Sequence, residues 1–295
     1  MNYRNILPLV SHTQAFSTDY WNDFGYWNDG TFWYEKTPTY TARVTAYATA
    51  TGITDYTILD PLNIFDLGLT YYGLDTIMKA VYPMVTDKTS QSDMANQMKY
   101  NFMNPLDTDA AFRLNWIGGW TYSANGALPN GTNAYANTSL SPSTHLPSTN
   151  AHISYYSRTI TVGSVVDIGG NSALPSYIHL RIAANFVSGA GAATITTFTT
   201  TTDARGLWMG SKRASNDRAV FRNGVKQNSN TNNDTNTLDG LPLFLAAQNN
   251  GGTAAFNSSK ECAFASIGDG LTDQKAEIFS TLVNNLQKAL NRAVY

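Results

Sequence analysis

At 295 residues the chain is long enough for one large core plus an accessory region. Charged residues make up only 14% of it, against roughly 25% in an average soluble domain. The net charge of -2 and the absence of any Lys/Arg run longer than Lys212-Arg213 exclude the basic footprint of a nucleic-acid binder. The polar surface is carried instead by neutral side chains, including 29 Asn, beside 22 Gly. Such residues favour turns and short strands, which is the profile of a loop-rich all-β protein.

The start of the chain, Met1 to Val10, holds a short apolar patch broken by Pro8, without the apolar core of a signal peptide. The expectation is a protein that does not use the ordinary secretory route. No stretch approaches the roughly 18 consecutive apolar residues of a membrane span, so membrane insertion is not expected. Residues 20–34 form an aromatic cluster holding Trp21, Trp27 and Trp33, half of the six tryptophans. The words Tyr20-Trp-Asn-Asp-Phe-Gly25 and Tyr26-Trp-Asn-Asp-Gly30 repeat imperfectly, each with an Asn-Asp turn signal. Trp21, Trp27 and Trp33 are the candidate contacts with a partner protein or a glycan, because large aromatic side chains anchor interfaces and stack on sugar rings. A small local core is the competing reading.

Between residues 60 and 83, Leu62, Phe65, Leu69, Tyr72, Ile77 and Val81 step by three to five, interrupted by Gly68 and Gly73. This predicts one broken helix or two short ones, with Pro61 in the first turn and Pro83 beyond the far end. Val85 to Met98 reads as a polar loop. The expected organisation is an N-terminal assembly or attachment region over 1–98 and a sandwich over 99–295.

From residue 99 the chain becomes a series of short apolar runs separated by turn signals. Strands are expected at 111–116, 152–158, 165–168, 178–183, 194–200, 206–211, 219–222, 225–228, 243–247 and 261–267. Asn223-Gly224 supplies the two positive-φ positions of a type I′ hairpin turn. A last helix is expected from Asp273 to Ala293, capped by Thr272 and presenting Phe279, Leu282, Leu286 and Leu290 on one face. The fold class is therefore mainly β: an antiparallel β-sandwich of jelly-roll type with an N-terminal aromatic and helical region and a C-terminal helix.

The sequence offers little that points to catalysis. His12, His145, His152 and His179 are scattered without metal-ligand spacing, and no nucleophile elbow or phosphate-binding loop occurs. The one cysteine, Cys262, lies in an apolar run and reads as a small buried side chain. Glycoside hydrolysis needs two carboxylates roughly 5–9.5 Å apart; the nearest arrangement is Asp107-Thr-Asp109, and position 111 is Ala. No cofactor is expected. The oxygen-rich run Asn228 to Asp239 could surround calcium, but only Asp234 and Asp239 in it are charged, which favours a solvated loop.

Several segments carry a resemblance to a known family: Ile77 to Pro83, Asp107 to Leu114 with Gly118-Gly-Trp120, Pro129 to Asn133, and His152 to Arg158. It continues through Gly206 to Ser211, the Asn223-Gly224 hairpin, Phe244 to Asn250 and Ala263 to Asp273. Over residues 77–292 the chain resembles the concanavalin A-like, laminin G-type sandwich found in bacteriophage virion proteins such as fibres, spikes and capsid decorations. The resemblance implies a lectin-like virion structural protein, assembled in the host cytoplasm, that is no enzyme. Its partners would be other virion proteins and host surface glycans, with several copies in the assembly. The alternatives are a phage polysaccharide depolymerase and an architectural decoration without a ligand.

Overall fold

The computed structural model describes residues 39–295 apart from 174–175, 183–184, 191–195, 235–237 and 239. Trp21, Trp27 and Trp33 lie outside the described residues. The chain divides into two compact units, Met1–Tyr40 and Thr41–Tyr295, and the sandwich is the second.

Helix α1 (Ala42–Thr51) begins where the Thr41 hydroxyl accepts from the Val44 amide, and ends at Gly52 in the left-handed region. Helix α2 (Tyr56–Tyr71) is capped by Asp55, which accepts from the Thr57 amide at 2.8 Å. Pro61 therefore sits beyond the expected first turn, where it removes one backbone bond without ending the helix. Gly68 does not interrupt it either. A Cβ at that glycine would lie 2.5 Å from Leu282, so its absence lets the C-terminal helix approach closely.

Two expectations fail between residues 77 and 98. The second half of the predicted helix is strand β1 (Met78–Tyr82), antiparallel to the strand at 262–268, with Tyr82 opposite Ala265 and Val81 opposite Ser266. Ala80 and Tyr82 point into the core, so long-range pairing overrides the helical spacing. The predicted loop contains helix α3 (Gln91–Met98), started by Ser90, whose hydroxyl accepts from the Asp93 amide. Met94 and Met98, one turn apart, reach the core from it. The expected division between residues 98 and 99 thus falls inside the second unit.

Among the described residues, the first sheet runs from edge to edge as β13 (Val225–Asn230), β12 (Asp217–Arg222), β11 (Gly206–Ala214), β6 (Ala151–Ser157), β17 (Cys262–Gly268), β4 (Gly126–Pro129) and β3 (Trp120–Ser123). Strand β1 also pairs with β17. The second sheet runs as β10 (Thr196–Thr200), β9 (Asn185–Ala190), β8 (Ser176–Arg181), β7 (Ile168–Ala173), β14 (Phe244–Leu245), β5 (Tyr135–Asn137) and β2 (Asn115–Ile117). A short hairpin, β15 (Gln248–Asn250) and β16 (Thr253–Ala255), joins it through a parallel pairing of β15 with β7. The expected mainly β sandwich ending in a helix is what forms. Strands β3, β4, β5, β9, β15 and β16 were not expected, and of the strand predicted at 111–116 only the end is extended, Asp109–Ala111 being a 3-10 turn. A single helical turn, α4, spans Pro142–His145.

The core lies between the sheets. Ile153, Tyr155, Trp208, Val220, Ala265 and Ile267 of the first meet Ala136, Ile168, Ile178, Leu180 and Leu245 of the second. The other face of the first sheet is covered by helices, including α5 (Asp273–Ala289). Phe264 packs edge-on against Phe65 of α2 at 5.7 Å and lies 5.9 Å from Phe279 of α5. Covered on both sides, β6 and β17 are buried at every position. Edge strand β3 is closed by a side chain: the Gln91 amide donates to the Tyr122 carbonyl at 2.8 Å and accepts from the Tyr122 amide at 2.7 Å. It does there what a neighbouring strand would do.

Helix α5 starts as expected, with the Thr272 hydroxyl accepting from the Lys275 amide at 3.2 Å. It ends four residues early because Asn291 adopts φ 55°. The Asn291 amide then donates to Lys288 and the Arg292 amide to Gln287, a Schellman closure. That turn sends the Arg292 side chain into the interior, where its guanidinium donates to the carbonyls of Pro83, Met84, Ala124 and Ala263 and to the Gln287 side chain.

Candidate functional site

The buried groups capable of chemistry are committed to one another. Asp167 accepts from Lys260 at 3.1 Å, from the Ser258 hydroxyl at 2.6 Å and from the Ile182 amide at 2.7 Å, and all of this is buried. Ser266 and His152 have the spacing of a nucleophile and its base, with Oγ 3.0 Å from Nε2, and the far nitrogen meets the Asp269 carbonyl at 2.6 Å. Both are sealed under α5, and burial lowers the His152 pKa to about 4. No substrate reaches this dyad from solvent. Cys262 is buried, and burial pushes its thiol pKa up.

The acid pair singled out in the sequence is turned toward Arg113. Asp107 holds Lys99 at 2.8 Å and Arg113 at 2.6 Å, and these hydrogen bonds lower its pKa. Asp109 is lowered by hydrogen bonds from Asn115 and then from Arg113. A general acid in glycoside hydrolysis must be held protonated, the opposite of what these cations do. In the oxygen-rich run, Asp234 is buried between Lys212 at 3.2 Å and Arg218 at 2.8 Å. Two cations therefore stand where calcium would need uncommitted oxygens. No group of three or more His, Cys, Asp or Glu converges among the described residues.

The outer face of the second sheet differs from all of these. Because Ile168, Ile178, Leu180, Leu245 and Ala136 point into the core, the alternate residues point outward. Registers align Asn115 with Asn137, Asn137 with Phe244 and Phe244 with Gly169. Gly169 abuts His179, whose Cβ would lie 2.5 Å from a Cβ at the glycine. One row therefore crosses four strands and ends on a histidine in β8. Tyr135 stacks on Phe244 with ring centres 4.4 Å apart and planes 26° from parallel. Phe244 and His179 are buried although they point outward, while Tyr135, Asn137, Asn171 and Arg181 are half-exposed around them.

Beside His179 the charged side chain is that of Arg181. Burial first, and then the positive charge of Arg181, lower the His179 pKa to about 4, so this imidazole is neutral at pH 7. Gln248 Nε2 lies 3.5 Å from His179 Nδ1. Arg181 follows His179 by two residues on the same face, and among the described arginines it alone makes no ion pair or hydrogen bond. At the other end of the line the Asn171 side-chain oxygen is buried without a donor.

Sequence reasoning placed the candidate contacts at Trp21, Trp27 and Trp33, outside the described residues, and did not find this face. One signal was present: Ile178-His-Leu-Arg-Ile182 alternates apolar with polar, which marks His179 and Arg181 as outward neighbours.

No family profile and no curated protein matches this sequence. Among solved structures, domain 4 of an extracellular arabinanase from Geobacillus stearothermophilus, in complex with arabinotriose, is similar at 15% identity. That match covers 69% of this chain and 98% of that chain with a TM-score of 0.46. The CBM40 of the Ruminococcus gnavus IT-sialidase bound to α2,3-sialyllactose is 15% identical over 45% of this chain and 80% of its own, with a TM-score of 0.34. The binding domain of Paraclostridial Mosquitocidal Protein 1 is 13% identical over 71% of this chain and 52% of that chain, with a TM-score of 0.44.

Proposed function

We propose that this chain is a carbohydrate-binding β-sandwich of a virion structural protein, and that saccharide lies on the outer face of the second sheet. The observation that carries the reading is the row from Asn137 to His179. It sets a stacked aromatic pair beside amide groups, a neutral imidazole and an arginine without a partner. A saccharide needs an apolar surface for its ring faces and a few placed hydrogen-bonding groups for its hydroxyls, and this row supplies both. The role in this reading is binding without catalysis: Asp107 and Asp109 are held by Arg113, and Asp167 and Asp234 are buried against lysine or arginine. The virion assignment is supported by the resemblance carried by residues 77–292. In it, Trp21, Trp27 and Trp33 make the assembly contacts and the sandwich faces the host surface.

The test is a panel of bacterial surface and plant-type oligosaccharides presented to the full chain and to Tyr135→Ala. Binding should weaken about tenfold in the variant, the equivalent of about 1.4 kcal/mol, while the variant remains folded. A folded protein that binds no saccharide overturns the reading of the face. Purified particles of the parent phage that lack the chain overturn the virion assignment.

A further inference from the structure

We infer that the saccharide is acidic, and that Arg181 receives its carboxylate. This rests on the reading of the second sheet's outer face as a saccharide site, and names the class of ligand for it.

The inference comes from comparing the arginines. Arg43 pairs with Asp66, Arg113 with Asp107, Arg158 with Glu261, Arg205 with Asp203, Arg213 with Asp217 and Arg218 with Asp234. Arg222 donates to the Arg205 carbonyl, and Arg292 has its ring of carbonyls. Arg181 has no such partner among the described residues, and its Nε is shut off from solvent without an acceptor. Asp167, one residue before β7, cannot serve it, because Lys260, Ser258 and the Ile182 amide already occupy that carboxylate.

A half-buried guanidinium without an anion is unusual, because its planar fork is made for two parallel bonds to a carboxylate. The surroundings select the kind of anion. Arg181 is the one cation on this part of the face and its neighbours His179, Gln248 and Gly169 are neutral, so the site balances a single negative charge. A carboxylate meets both conditions, being planar and singly charged. A phosphate ester would bring more charge than one arginine neutralises, and a sulfate ester would bring a tetrahedral group. With the Tyr135–Phe244 pair one row away for a ring face, the ligand class is a saccharide containing a hexuronic or other carboxylated residue.

The test uses the full chain and matched ligands: oligogalacturonate, oligoguluronate and hyaluronan oligosaccharides, each beside its carboxyl-reduced form, with a sulfated neutral oligosaccharide as a third arm. At least one acidic form should bind about tenfold tighter than its reduced counterpart. Arg181→Gln should erase that preference, so that acidic and reduced forms bind with equal affinity, while the thermal midpoint stays unchanged. Equal affinity for acidic and reduced forms overturns the inference and leaves the saccharide site standing, and this comparison needs only the unaltered protein. Preference for the sulfated ligand through Arg181 overturns the assignment to carboxylate. Failure to bind any saccharide overturns this inference together with the reading it rests on.

Discussion

Arg292 shows how one residue can join elements far apart in the chain. Its four carbonyl partners come from the segment after β1, the β3–β4 turn and β17, and none of them carries a charge. Burial lowers its pKa to about 10, which leaves it charged at neutral pH. Arg292→Leu should cost roughly 3–5 kcal/mol, because it leaves several buried carbonyls without donors; a chemical denaturation midpoint close to the parent protein's would contradict this. His152 makes a prediction about acid. The unfolded imidazole takes up a proton near pH 6.5 and the folded one only near pH 4. The unfolded state therefore binds more protons in that window, and stability falls as pH drops from about 6.5 to about 4. The loss from this group is on the order of 3 kcal/mol, and His179 adds a loss of the same sign. Urea midpoints measured from pH 7 to pH 4 should decline, and His152→Gln should flatten the decline.

Elements whose signals are local were legible, and those made by distant partners were not. The Asn223-Gly224 turn has the expected positive φ values of 53° and 82°, and Thr272 caps α5 through its own hydroxyl. Both depend on residues within a few positions of one another. Strand β1 depends on Gly268, Ile267, Ser266 and Ala265, nearly two hundred residues later, and nothing between Ile77 and Tyr82 discloses that pairing. Helix α3 had a local signal in Ser90-Gln-Ser-Asp93, and the polar composition around it hid the step from Met94 to Met98. The hairpin also carries a packing demand that spacing does not reveal. A Cβ at Gly224 would lie 3.2 Å from Glu277 Cα and from Ser280 Cβ, so α5 rests directly on the turn. Gly224→Ala should therefore cost about 1–2 kcal/mol, from positive-φ strain and from crowding against α5. A thermal midpoint within a degree of the parent protein's would show that the turn and helix yield without penalty.

For the whole molecule, the sandwich could be read from turn spacing, whereas the proposed saccharide face could not. Asn137, Gly169, His179 and Phe244 come from four segments spread over more than a hundred residues, and only the sheet registers bring them into one row. None of the four carries a motif; their meaning lies in which neighbours they acquire. The tryptophans singled out in the sequence lie outside the described residues.

The helical cover on the first sheet has a further consequence. A sandwich with both faces open could hold two ligands, but here α2 and α5 cover one side, so the saccharide site proposed on the second sheet has no counterpart on the first. Firm retention on a cell surface would then depend on how many chains one scaffold carries. Linked sites act at millimolar local concentrations and can strengthen attachment about 10² to 10⁴-fold without any new contact. Under the proposed reading, a weak grip by each chain would be an advantage, since it would let an assembly of chains move across a surface before it commits.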